Sequence, residues 1–147
     1  MAAQEILGEY AISTDPLKFD VGAIHAYLTQ SYWSPGVPLE TVRRAIDHSL
    51  CFAVIFRGHN VGFARVVTDR ATFAYLADVY ILPEHRGQGL DKWLLSVITR
   101  HPDLQGLRRF VLATRDAHEL YKAFGFRPLA EPSRFMEIHR ASPYAAR

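Results

Sequence analysis

Disulfide chemistry is closed to this chain, because Cys51 is its only cysteine among 147 residues and an intrachain bridge needs two. Cys51 lies in LCFAVIF, an apolar strand-like run where a small buried hydrophobe fits better than a nucleophile. Long apolar stretches are missing too. No segment is long enough to span a bilayer, and MAAQEILGEYAIS lacks the basic leader and apolar core of a targeting peptide. An excess of one charge is also absent: 17 Lys plus Arg face 15 Asp plus Glu, a formal +2 with a sequence pI near 8.8. A nucleic-acid surface needs a denser basic stripe. These absences leave a cytoplasmic protein with no membrane and no nucleic-acid partner as the expectation.

Several site motifs are missing as well. No glycine is followed, four residues on, by Gly-Lys-Ser or Gly-Lys-Thr, which excludes a P-loop. A dinucleotide fingerprint fails because the third glycine's place after Gly87 and Gly89 is taken by Lys92. The seven histidines are scattered without zinc-like spacing, and His85 and His118 read as surface residues, so no metal is expected. No internal repeat or low-complexity segment is present. At 49% hydrophobic and 22% charged, residues 1–147 are expected to form a single domain around one core.

What is present centres on Asp78 to Lys92, DVYILPEHRGQGLDK. An alternating strand runs to Pro83, and after the turn Leu90, Trp93, Leu94, Val97 and Ile98 recur at helical spacing. A helix N-terminus offers unpaired N–H groups and the positive end of a dipole, which suits a phosphate. Gly87 and Gly89 let backbone approach such a ligand, and Arg86 adds charge.

On either side of this turn the pattern is coarse but readable. Glu9 to Thr14 reads as a first strand. A helix capped by Asp20 follows, with Val21, Ile24, Tyr27 and Leu28 inward. After the loop SYWSPGVP, Pro38 opens a second helix carrying Leu39, Val42 and Ile46 inward. LCFAVIF, VGFARVV and the strand holding Asp78 form three antiparallel strands. Beyond the central helix come a strand at RRFVLA, a short helix DAHELYKAF with Asp116 and Glu119 as a capping box, and one or two strands in FRPLAEP and RFMEIH. The closing ASPYAAR reads as loose.

Arg86, Gly87, Gln88, Gly89, Leu90 and Asp91 resemble the signature of the Gcn5-related N-acetyltransferases: Arg or Gln, two residues, Gly, one residue, then Gly or Ala. Only Asp91 departs from it, placing a carboxylate where the family has a small neutral residue. The element order resembles the family over nearly the whole chain, and LYKAFGF resembles the segment closing its last helix. The resemblance implies an α/β (α+β) fold with a mixed, mostly antiparallel twisted sheet of six to seven strands and helices on both faces. It implies acetyl-CoA as co-substrate, with its pyrophosphate in the turn from Arg86 to Lys92 and its pantetheine arm on backbone of Val79, Tyr80 and Ile81. Thr114 stands where many relatives carry a cofactor-contacting Asn. Arg115 beside it has two readings, a contact to a CoA phosphate or a solvated side chain.

Transfer to an amine requires something to take a proton, since an alkylamine with a pKa of about 10.4 is mostly charged at neutral pH. The leaving thiolate gains from a proton donor. By resemblance Tyr121 is the acid. Asp78, a carboxylate interrupting an apolar strand on the face of Leu76 and Tyr80, is the candidate base; its structural alternative is a partner for an Arg such as Arg65. Tyr32 and Trp33 are candidate walls for the acceptor, expected to be a small-molecule amine. The alternative is a non-catalytic acyl-CoA-binding or regulatory module. Apolar residues in the terminal strands leave a homodimer open.

Overall fold

Strand periodicity dominates the middle of the chain, and in the computed structural model, which describes residues 3–144, it yields one six-stranded sheet. Its strands are β1 (Gln4–Leu7), β2 (Tyr10–Ser13), β3 (Leu50–Phe56), β4 (His59–Thr68), β5 (Phe73–Ile81) and β6 (Arg109–Leu112). Strands β1 to β5 pair antiparallel in succession, and β6 joins β5 in parallel. The sheet is therefore mixed and mostly antiparallel, as expected. The crossover from β5 to β6 carries the glycine turn and a helix, which a parallel connection requires.

Helices α1 (Val21–Leu28) and α2 (Leu39–Asp47) pack on one face, and α3 (Leu90–Arg100) on the other; the short α4 (His118–Lys122) follows β6. The first face buries Ile24, Leu28, Val42, Ile46, Phe63 and Tyr80, and the second Phe52, Val54, Val66, Leu76, Leu94 and Ile98. At eight residues α1 is too short to persist alone. Burial of Ile24 and Leu28, about 1.5–3 kcal/mol each, holds it. The Asp20 carboxylate caps it by accepting from the Ala23 N–H at 3.0 Å.

Several expectations need correction. The first strand is a hairpin, β1 turning into β2, because β1 is held by its ladder while Ile6 and Leu7 stay exposed and leave no alternation to read. Leu39 is exposed, since it sits at the first position of α2, before the buried stripe of Val42 and Ile46 begins. Asp116 does not cap α4, which starts later than expected; Thr114 Oγ1 accepts from the Ala117 N–H at 3.1 Å instead. Among the described residues no strand follows α4. Pro128 and Pro132 lack amide donors, Pro132 opens a short 3-10 turn, and the extended segment beyond it pairs with nothing. Of the ASPYAAR segment, Tyr144 is half-buried against the α1 and α2 face, and residues 145–147 lie outside the described residues.

Candidate active site

The alternation of β5 breaks at Asp78. Arg65 of β4 pairs with Ala77 and Phe63 with Tyr80, so β5 holds one more residue than its partner over this span. The bulge is completed by a left-handed Asp78 at φ 56°. The inserted residue reverses the pleat, so Leu76 packs toward α3 while Tyr80 packs toward α1. Asp78 therefore does not share a face with both, as simple alternation implied. It lies with Tyr80 on the α1 and α2 face, beside a cavity of about 60 Å³ bordered by Leu28, Val42, Ile46 and Tyr144.

Both carboxylate oxygens of Asp78 are engaged. Arg65 Nε donates to Oδ2 at 2.8 Å, and Trp33 Nε1 donates to Oδ1 at 2.9 Å. The ion pair is mostly screened from water, with 19% of the Arg65 side chain and 10% of the Asp78 side chain exposed. Arg65 is itself held by donating to Ser49 Oγ at 3.2 Å. The arrangement presents a fixed negative group next to an indole. Its remaining lone pairs can accept from a third donor.

Past Leu76 the two parallel strands separate, because the β5–β6 ladder ends at Leu76 and Leu112. On the side away from β4, the stretch Val79, Tyr80 and Ile81 thus has no strand partner, and an extended ligand can bond to its backbone there. Tyr80 is buried, and its ring stacks on Tyr27 at 3.9 Å. Burial, then the neighbouring Tyr27 and the carboxylates of Asp20 and Asp78, push its phenol well above the usual tyrosine range.

The turn after β5 has the properties of an anion cradle. Gly87 and Gly89 adopt φ of 78° and 79°, a region in which other residues are strained, and a Cβ at either would meet nothing within 4 Å. The backbone N–H groups of Gly87, Gln88, Gly89, Leu90 and Asp91 have no partner among the described residues. Leu90 contributes only its amide, since its side chain is buried. Gln88 reaches Tyr10 Oη and the His85 carbonyl, both at 3.4 Å. The Arg86 guanidinium turns back, donating to the Ile81 carbonyl at 2.7 Å and to Tyr27 Oη at 3.1 Å, so it braces the turn with two of its donors. Lys92 is exposed. Asp91 folds onto its own helix end, where Oδ1 accepts from the Lys92 N–H at 2.8 Å. Its negative charge therefore sits beside the amides an anion would use.

Tyr121 of α4 lines a cleft beside β6 and is half-buried, with its ring edge-on to Phe126 at 5.9 Å. Its hydroxyl makes no hydrogen bond within the described residues. Burial, then the nearby Tyr32 and the Asp91 carboxylate, raise its pKa above the ordinary value. Tyr32 meets Trp33 edge-on at 5.0 Å, and the Arg115 guanidinium lies 3.9 Å above the Tyr32 ring. Contacts thus run from Arg115 through Tyr32 and Trp33 to Asp78, while Thr114 and Tyr121 line a separate cleft beside β6.

Cys51 is buried in β3, and desolvation pushes its thiol up to about 12, so no thiolate nucleophile forms there at neutral pH. Among the described residues no three His, Cys, Asp or Glu side chains group as metal ligands, and no helix is long and apolar enough to cross a membrane. Tyr27 escapes a reading by periodicity, which places it on the buried stripe of α1. The signal was its hydroxyl, because a tyrosine on an apolar face needs a polar partner, here Arg86.

Comparison with known proteins bears on this geometry. Residues 47–128 match the family model described as an acetyltransferase (GNAT) domain. A Gibberella zeae protein named as an acetyltransferase is 36% identical over 137 residues, covering 78% of this chain and 76% of that protein. A Xanthomonas campestris crystal structure ascribed to the GNAT family superposes with a TM-score of 0.93 at 50% identity, covering 96% of this chain and all of the other. The Sus scrofa thialysine N-epsilon-acetyltransferase is 38% identical over 61 residues, which span 39% of this chain and 36% of that protein.

Proposed function

The chain belongs to the GNAT acetyltransferase family, and from that premise we propose that residues 1–147 act as one catalytic domain transferring acetyl directly to a small-molecule primary amine. It is an acetyl-CoA-dependent N-acetyltransferase with acetyl-CoA as co-substrate. The observation that carries the finer reading is the run of unpaired amides from Gly87 to Asp91, lying beside the strand-free edge of β5. The cradle fits a pyrophosphate and the edge fits an extended amide-bearing arm. The Sus scrofa relative, named for acetylating a small amine, supports the acceptor class.

When bound, acetyl-CoA supplies an activated thioester carbonyl. Backbone of Val79, Tyr80 and Ile81 orients the arm, and Arg86 to Lys92, with Thr114, hold its ends. Asp78, fixed by Arg65 and Trp33, takes the proton of the acceptor ammonium, directly or through water, and so frees the neutral amine that attacks. As the N–C bond forms and the C–S bond breaks, Tyr121 gives its proton to the departing sulfur. Tyr32 and Trp33 wall the acceptor. No covalent enzyme intermediate is needed.

Calorimetric titration with acetyl-CoA tests the binding half of this reading. The wild type and Asp91→Gly are both expected to bind one equivalent. The glycine variant should bind about three- to tenfold tighter, and the gap should narrow as salt rises, because the Asp91 carboxylate repels phosphate. Absence of binding by both overturns the reading, whereas equal affinity overturns only the part given to Asp91.

The same reading includes a homodimer through β6. Among the described residues that strand pairs only with β5, and its other side opens on a cleft of about 1260 Å³. Nearby, Met136 and Ile138 alternate along an extended segment and are 98% and 88% exposed. A second copy's segment from Phe135 to Ile138 supplies the missing edge partner. Light scattering should find a dimer for the wild type and a monomer for Met136→Lys combined with Ile138→Lys. A monomeric wild type contradicts it.

A further inference from the structure

Arg115 is placed differently from the arginines that serve surface ion pairs. Arg57, Arg70 and Arg100 each hold a carboxylate of the same chain. Arg115 is exposed, and the contact that fixes it is the face of Tyr32, with Cζ 3.9 Å from the ring centroid. Among the described residues it makes neither hydrogen bond nor ion pair, even with its neighbour Asp116. Stacking sets the plane of the guanidinium but leaves its N–H edge free, and that planar fork matches a carboxylate.

What Arg115 stacks on indicates which ligand the fork meets. Tyr32 lies edge-on to Trp33, and Trp33 donates to Asp78. A cation, two aromatic rings and a carboxylate are thus linked by contact from Arg115 to the proposed base. The free amides suited to phosphate lie instead in the Gly87–Asp91 turn, with which Arg115 shares no hydrogen bond. An acceptor that places its amine at Asp78 and its carbon skeleton along Tyr32 and Trp33 brings its far end to Arg115.

We propose that Arg115 binds a carboxylate of the acceptor, so that the acceptor class is amines bearing a carboxylate, such as amino acids with a side-chain amine. This rests on the transferase reading above.

The test compares lysine and ornithine with their carboxamides, which keep the amine and lose the negative charge. Wild-type kcat/KM should favour the acids about tenfold or more, the scale of a charge-assisted bidentate contact. Arg115→Gln should erase that preference by raising KM for the acids, leaving KM for acetyl-CoA and the rate on the carboxamides within about twofold. Arg115→Lys should restore part of it. A wild type indifferent to the carboxylate, or a preference that survives Arg115→Gln, overturns the assignment. A raised KM for acetyl-CoA in Arg115→Gln overturns it in favour of a CoA phosphate contact. Should neither acid be acetylated, calorimetry of the acids on the CoA-saturated protein replaces the rates, and no binding by the acids counts against the proposal. Failure of acetyl-CoA itself to bind is a separate result, and it condemns the transferase reading instead.

Discussion

Tyr121→Phe is expected to lower kcat by about 10²- to 10³-fold while leaving KM for acetyl-CoA within about twofold, the scale of a lost general acid. The phenylalanine ring keeps the contact with Phe126 and removes only the hydroxyl, which bonds to no other group among the described residues. A merely structural tyrosine would show a stability change and little loss of rate. The pH dependence gives a second readout. Burial and the neighbouring Tyr32 and Asp91 raise the Tyr121 pKa from the ordinary 10.0. The protonated, competent form therefore persists to higher pH than in free tyrosine, and the kcat profile should show no alkaline fall with a midpoint below about 10. A kcat for Tyr121→Phe within threefold of wild type removes the tyrosine from the mechanism.

Asp78→Asn is the second large effect, and it divides between rate and stability. The left-handed backbone at φ 56° tolerates asparagine nearly as well as aspartate, so the substitution tests charge without adding strain. It leaves Arg65, with 19% of its side chain exposed, without its counter-charge. Breaking a fully buried pair costs about 3–5 kcal/mol, and with partial access to water about 2 kcal/mol is expected, a fall in Tm of about 4–8 °C. Loss of the proton acceptor should lower kcat by about 10²-fold or more. Arg65→Met separates the two parts: it should lower Tm comparably, since Asp78 then stands unpaired, while retaining more of the rate. Equal losses of rate in both variants would mean that the ion pair, and not the base, is what matters.

The parts of this fold legible in the sequence are those fixed by local pattern. The strands β3, β4 and β5, the cap on α1, the apolar face of α3 and the glycine turn all follow from periodicity and from Gly, Pro and Asp at particular places. The bulge at Asp78 was not legible, because counting alternate residues assumes that none is inserted, and the side on which the proposed base lies depends on that one residue. Strand β1 was hidden because Ile6 and Leu7 stay exposed and only the ladder to β2 defines it. Pairing of the last segment depends on a partner strand that the sequence does not announce. The site itself is mostly long-range: Trp33 meets Asp78 across 45 positions, and Arg86 meets Tyr27 across 59. A carboxylate in an apolar strand singles out Asp78 and the family resemblance singles out Tyr121, but no spacing rule brings Arg115 onto Tyr32.

Acetyl transfer itself is the most direct measurement, made by incubating the purified chain with acetyl-CoA and a panel of amino acids and simple amines. Free thiol release and product mass are followed together. The expected result is amine-dependent thiol release with a matching N-acetylated product, reduced at least about 10²-fold in Tyr121→Phe. Stoichiometric binding of acetyl-CoA with no acetylated amine anywhere in the panel would contradict it, and would mark the chain as an acyl-CoA-binding module without turnover.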